Sequence, residues 1–391
     1  MNIQEIFNPD NWKDIPTLEV LESFGKKKNK SKMFMWRNNK KEISPLNLYK
    51  YLKSRFGLPN GSLMLTKHRG TTENLFHWHY QIKSHNSKMN FIGRSAGLEI
   101  QLILQNDIDF EQNQWDLLIK NIKNDYKNYG REMSKTQNEF EHYSLFINPY
   151  TRLENTIRNQ IRKLNELDIS EPLNNLSLET SEDEMKTYFD QFGTWISNVE
   201  EAVSLSCSVK MLTPVLGEAF INLILELLCK DDLKNDKRMF DSIIKQQIDV
   251  RVKSLHLHCN GIKNPIDSKS DKFKNFHTIM NGRNDFLHGN IDPQKLMFED
   301  VYFDDGDTPL FKEDNGIISK TMNNYLNNME PKTAVEDFKK INEFIEHIIS
   351  HFTVEVQKII RMLMVSRMPA FNKKTNKIAV LFSPGLAEGH I

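Results

Sequence analysis

The sequence predicts an α+β N-terminal domain with a small antiparallel sheet, followed by an all-α helical bundle. Three observations carry this expectation. Between residues 76 and 104 apolar side chains recur at every second position, the period of a half-buried strand. Beyond residue 183 they recur every three or four positions, the period of helices buried on one face. Between the two regimes the run EPLNNLSLETSEDE is poor in aromatics and rich in Ser, Asn and Glu, as linkers are. The implied organisation is a domain at 1–167, a linker at 168–182, a helical domain at 183–365 and a tail at 366–391.

In LNLYKYLKSRFG (46–57), Leu48, Leu52 and Phe56 stand four apart, which predicts a helix, and Gly57 is a suitable terminator. The period then changes. In NLFHWHYQI, Phe76, Trp78, Tyr80 and Ile82 alternate with polar positions and predict a strand. MNFIGRSAGLEIQLIL adds a second and a third, with a turn at Ser95-Ala96-Gly97 and with Leu98, Ile100, Leu102 and Leu104 on one face. Trp115, Leu118, Ile119 and Ile122 restore helical spacing over 112–129. Another helical stretch covers 138–167, kinked or restarted at Pro149.

The second half is predicted almost wholly helical. Met185, Tyr188, Phe189, Phe192, Trp195, Ile196 and Val199 make one apolar face. Leu212, Val215, Leu216, Phe220, Ile221, Ile224, Leu227 and Leu228 make a second, apolar enough to be central. Further helices are expected near 237–257, 271–288 and 333–364. The insert VYFDDGDTPLF suits a hairpin turning at Asp305-Gly306.

With 39% hydrophobic and 27% charged residues, the composition is that of a soluble globular protein. No run of eighteen apolar residues predicts a membrane span, and MNIQEIFNPD has no secretory pattern, so a cytoplasmic location is expected. Cys207, Cys229 and Cys259 lack paired short spacing and read as reduced thiols. The net charge of zero hides an asymmetry: residues 1–166 hold 26 Lys/Arg against 18 Asp/Glu. A basic front half is compatible with nucleic acid, or equally with attraction to the acidic half.

Residues 25–41 interleave Lys26, Lys27, Lys28, Lys30, Lys32 and Arg37 with Phe34 and Trp36. The cations could neutralise RNA phosphates while the aromatics stack on bases. The competing reading is a solvated loop entering a strand whose aromatics are buried. His77 and His79 share one strand face, with His68 and His85 nearby, but no Cys or acidic partner stands at a ligand spacing. His256 and His258 diverge on a helix. His347 and His351 share a face, but HIISH lacks the Glu of a zinc hydrolase helix. No glycine loop for phosphates is present, since Gly57, Gly61, Gly70, Gly93 and Gly97 are scattered as in turns. No metal and no cofactor are expected.

The most informative segment is FKNFHTIMNGRNDFLHGNIDP. Phe273, Phe276, Ile279 and Met280 form the apolar face of a helix, Gly289 suits its C-terminal cap, and Pro293 follows. His288 would then lie in the last turn, where unpaired carbonyls favour the imidazolium. Arg283-Asn284-Asp285-Phe286-Leu287-His288 is an Arg, four residues and a His, with a polar residue directly after the Arg.

This pattern, set among helices over roughly residues 183–365, resembles the signature of HEPN domains, compact helical bundles many of which cut RNA in defence and toxin systems. The resemblance implies a metal-independent endoribonuclease, a toxin or anti-phage effector, with Arg283, His288 and Asn284 in its site. It also implies a homodimer, and such effectors are often held by a regulatory or antitoxin protein. At 100° per residue Arg283 and His288 point about 140° apart, so one helix can hardly aim both at one phosphate. A cleft between two copies can. The alternative is a non-catalytic HEPN-like scaffold that binds RNA or protein; a third option places an enzyme site around His77 and His79.

Overall fold

The computed structural model describes residues 2–16, 19, 31–38, 42–67, 74–95, 97–105, 108–173, 180–287, 297–312, 316–366 and 369–381. It has two compact units. One comprises Met1–Ser144 with Ala370–Asn376, and the other Leu145–Pro369 with Lys377–Val380.

The first unit is α+β. It contains α1 (Ile3–Ile6), β1 (Trp12–Asp14), β2 (Ser31–Arg37), α2 (Pro45–Phe56), β3 (Phe76–Ser84), β4 (Ser87–Arg94), β5 (Gly97–Gln105), α3 (Gln114–Asp125), α4 (Gly130–Asn138) and β6 (Tyr143–Leu145). The sheet order is β1-β3-β4-β5-β2, and every pairing is antiparallel. Tyr80 lies opposite Phe91, which lies opposite Ile100, which lies opposite Trp36. These four side chains share one face and are buried with Leu48, Leu52 and Trp115 from the helices. Ser44 and Pro45 start α2: the Ser44 hydroxyl accepts from the Asn47 N–H, and proline needs no amide partner at a helix start. Arg55, near the end of α2, forms a buried ion pair with Asp125, which also accepts from the Tyr51 hydroxyl.

The second unit is helical. Its elements are α5 (Pro149–Glu166), α6 (Glu182–Leu228), α7 (Asp231–Asn235), α8 (Lys237–Lys245), α9 (Ile248–His258), α10 (Asp271–Leu287), the hairpin β7 (Val301–Asp304) and β8 (Thr308–Phe311), α11 (Ile317–Met329), α12 (Pro331–Ser350) and α13 (Val354–Val365). After them come β9 (Pro369–Asn372) and β10 (Ile378–Val380). The two apolar stretches expected around 185–199 and 212–228 are one helix of 47 residues, with Pro214 inside it. Ser181 and Glu184 close a reciprocal capping box at its start. Its second half is the centre of the core: Leu216, Phe220, Ile221 and Ile224 are fully buried against α5, α9, α10 and α12. By length and hydropathy α6 is the one candidate membrane span among the described residues, but 56% of its most apolar window is buried inside the unit.

Three boundaries differ from the sequence expectation. The division falls at residue 144, because α5 belongs to the helical core: Tyr150 packs edge-on against Phe220 at 5.9 Å, and Gln160 donates to Ser208 at 2.7 Å. Pro149, capped by Asn148, restarts the helix as α5, the second of the two expected alternatives. The expected linker starts as a docked segment, since Trp195 and Asn198 of α6 donate to the carbonyls of Ile169 and Asp168. Residues 174–179 lie outside the described residues. The expected tail is also partly folded: the Lys373 N–H donates to His142 and Lys374 to Asn138, which ties Ala370–Asn376 to the first unit.

Candidate functional site

The position of α10 follows from one glycine. A β-carbon on Gly217 of α6 would come within 2.7 Å of the Phe276 ring, so the absence of a side chain lets α10 lie close against α6. Phe276 stacks flat on Phe344 of α12, with ring centroids 4.2 Å apart. Phe273, Ile279 and Met280 complete the buried face. That face, fixed by apolar packing, carries Arg283 on the next turns toward α6.

Arg283 is largely covered, with its side chain 18% exposed, and its Nη1 stands 3.8 Å from Oε1 of Glu218. The rest of its fork closes on the adjacent residue: Nε and Nη2 donate to the Asn284 amide oxygen at 3.3 and 3.0 Å. The HEPN resemblance places Asn284 in the site with Arg283 and His288. The Asn284 carbonyl is occupied by Arg283, because adjacent residues on a helix can meet when one side chain is long and the other short. Asn284 as a whole is exposed. His288, Gly289 and Pro293 lie outside the described residues.

Glu218 brings two further groups into the same neighbourhood. Asn222 is four residues on along α6 and shares its face. Arg251 of α9 donates to the Asn222 side-chain oxygen. Arg251 is 8% exposed; burial lowers its pKa and the Glu218 carboxylate acts against that shift, so Glu218 interacts with both arginines. The Arg251 Nε–H is buried and finds no acceptor among the described residues. These three positions were missed in the sequence, although a signal exists: Glu218 and Asn222 are polar residues four apart in the most apolar helix of the chain.

The basic segment is divided. Lys26, Lys27, Lys28 and Lys30 lie outside the described residues. Lys32, Trp36 and Arg37 lie on β2, an edge strand paired to β5. Lys32 and Arg37 are exposed, and the Arg37 Nε is 3.7 Å from Glu99. Trp36 is 7% exposed and belongs to the core, so its indole is not available to stack on a base. Phe34 likewise packs on Phe110 at 4.7 Å. Burial of these aromatics outweighs any stacking role, because strand alternation turns Phe34 and Trp36 to the same face, toward the core.

Four of the described histidines have local partners. His79 is buried against Gly61; its Nδ1 accepts from the Leu63 N–H at 3.2 Å, and burial lowers its pKa to about 4. His77 meets the Ser95 hydroxyl at 2.9 Å. His347 and His351 do share a face, with rings edge-on at 4.7 Å. Among the described residues no three His, Cys, Asp or Glu side chains gather as a metal site.

Comparison with protein families, with curated proteins and with solved structures finds no match to this chain.

Proposed function

We propose that the helical unit is a HEPN-like endoribonuclease domain whose site combines Arg283, Asn284 and His288. The observation that carries this reading is the pairing of Arg283 with Asn284 on the final turns of α10, which orients the fork five positions before His288 in the sequence. A planar cation oriented in this way suits a phosphorus centre that gains negative charge in the transition state.

In this reaction the RNA 2′-oxygen bonds to the adjacent phosphorus as the bond from phosphorus to the 5′-oxygen breaks. One imidazole takes the 2′-hydroxyl proton and another group in acid form protonates the departing 5′-oxygen. By the HEPN resemblance, His288 of each of two copies would supply the base and the acid. The dimer belongs to the HEPN resemblance, and it is supported by the divergence of about 140° between positions five apart on an ideal helix. The products are a 2′,3′-cyclic phosphate and a 5′-hydroxyl. A role as a toxin or defence effector belongs to the same reading.

A second reading, a scaffold that binds RNA without cutting it, is favoured by the occupation of the Arg283 fork by Asn284 and Glu218. Incubation of wild-type and His288→Ala protein with total RNA in EDTA separates the two. Cleavage by wild type alone, leaving 5′-hydroxyl ends, is expected. Equal cleavage by both proteins would refute the assignment of His288, and binding with no cleavage by either favours the scaffold.

A further inference from the structure

Three helices of the second unit converge on a polar cluster set in apolar surroundings. Glu218 and Asn222 come from α6, between the buried Leu216, Phe220, Ile221 and Ile224. Arg251 comes from α9, where Val252 and Leu255 are also buried. Arg283 comes from α10.

Among the described residues the cluster carries more positive than negative charge. Among them it holds two guanidinium groups and one carboxylate: Glu218 stands 3.8 Å from Arg283, and Asn222, one turn on along α6, accepts from Arg251. Asn222 supplies a neutral oxygen to Arg251, and the buried Arg251 Nε–H has no acceptor among the described residues. A buried cation is stable when its charge and its donors are satisfied; one carboxylate shared by two arginines satisfies neither fully. Planar forks of this kind match the oxygens of a phosphodiester. The cluster also adjoins Asn284, the residue that orients Arg283.

We propose that Arg251 and Arg283 together hold one phosphodiester group of an RNA chain, and that Glu218 occupies Arg283 until the RNA arrives. The inference rests on the ribonuclease reading for the identity of the ligand. Asn222 is the positioning residue, because it orients the Arg251 fork. Glu218 is a competing anion, so its removal strengthens RNA binding, an effect opposite in sign to that of a merely structural residue.

The test uses the full chain and a fluorescent 2′-O-methyl oligoribonucleotide, which lacks the attacking hydroxyl and cannot be cut. Anisotropy is followed as a function of salt. Arg251→Gln is expected to bind about tenfold more weakly, as for the loss of a charge-assisted hydrogen bond. Its salt dependence should flatten by about 0.7 in log–log slope, the release of one counterion from a single strand. Glu218→Gln is expected to bind more tightly than wild type. An Arg251→Gln protein with wild-type affinity and slope, or a Glu218→Gln protein that binds more weakly, overturns the proposal. Displacement of the probe by adenosine monophosphate as effective as by unlabelled RNA also overturns it, since the ligand would then not be a chain phosphodiester. If circular dichroism shows Arg251→Gln unfolded, the Glu218→Gln result decides, because misfolding does not strengthen binding. Cleavage of ordinary RNA by wild type and His288→Ala tests the nuclease reading separately.

Discussion

Gly217 of α6 and the ring of Phe276 of α10 are placed so closely that a β-carbon on the glycine would stand 2.7 Å from the ring. The contact sets the approach of two helices, and with it the distance at which Glu218, the next residue of α6, meets Arg283. Substitution with Val at Gly217 therefore acts on both packing and site. We expect Gly217→Val to cost about 1–3 kcal/mol, the range for overpacking a core. RNA cleavage should fall more steeply than stability alone explains. Urea unfolding alongside the cleavage assay checks this, and a variant of wild-type stability would show that α10 can yield without cost.

Arg283 and Asn284 act as one unit if the fork must be held for the transition state. Asn284→Ala is expected to lower kcat/KM by about tenfold or more, chiefly through kcat. Arg283→Lys keeps the charge but loses the fork, and should lose at least as much. Steady-state cleavage of a short RNA distinguishes this from a binding role, in which KM alone would rise.

The first unit depends on a different charged contact. Arg55 and Asp125 pair with side chains 10% and 8% exposed, and Tyr51 donates to the same carboxylate. Arg55→Ala leaves that carboxylate uncompensated and should cost about 3–5 kcal/mol. Replacement of both partners, Arg55→Met with Asp125→Leu, should cost less than the single change, which a double-mutant cycle in urea would measure.

His79 makes the stability of the same unit sensitive to acid. Burial lowers its pKa to about 4 against an ordinary value of 6.5, so the folded unit holds the neutral ring. The contribution is present in full above pH 6.5 and is lost as the pH falls toward 4. The loss reaches about 3 kcal/mol at the acid end. His79→Asn keeps an acceptor for the Leu63 N–H but does not titrate. Its urea midpoint should therefore fall less than that of wild type between about pH 7 and pH 4.5. Parallel curves would assign the acid sensitivity elsewhere.

Cys229 and Cys259 face each other in an antiparallel bridge, flanked by hydrogen bonds from Lys230 to His258 and from Asn260 to Leu228. That makes them a non-hydrogen-bonded pair, the kind with α-carbons about 4.5 Å apart, within disulfide range. Both are buried, and burial pushes the Cys259 thiol up to about 12. The folded protein should therefore react slowly with thiol reagents at neutral pH. Diamide at alkaline pH should join the two, the thiols giving up two hydrogens to the diazene. Peptide mapping without reductant reads the link, and a link through Cys207 instead would contradict the geometry.

Much of the secondary structure was legible because it is written in local spacing. The alternation at Phe76, Trp78, Tyr80 and Ile82 gave β3, and the four-residue repeat at Leu48 and Leu52 gave α2. The hairpin at Asp305-Gly306 was visible because both residues tolerate positive φ, and they adopt 49° and 83°. Pro214 was no barrier to a helix of 47 residues, since tertiary burial of Leu216, Phe220 and Ile224 outweighs one lost backbone bond. Trp36 was equivocal, because a basic run with aromatics looks the same whether the rings face a ligand or a core.

The sequence by itself determined the two structural regimes, the apolar face of α10 and the presence of Arg283 and Asn284 on its later turns. Those properties depend on residues within one or two helical turns. Only the tertiary structure decided that α5 joins the helical unit, that Trp36 is buried, and that Glu218, Asn222 and Arg251 converge on Arg283. Each of these depends on contacts between helices or strands distant in the chain. Local periodicity says which face of an element is buried, but not which partner covers it; that is set by the packing of large side chains against a position as small as Gly217.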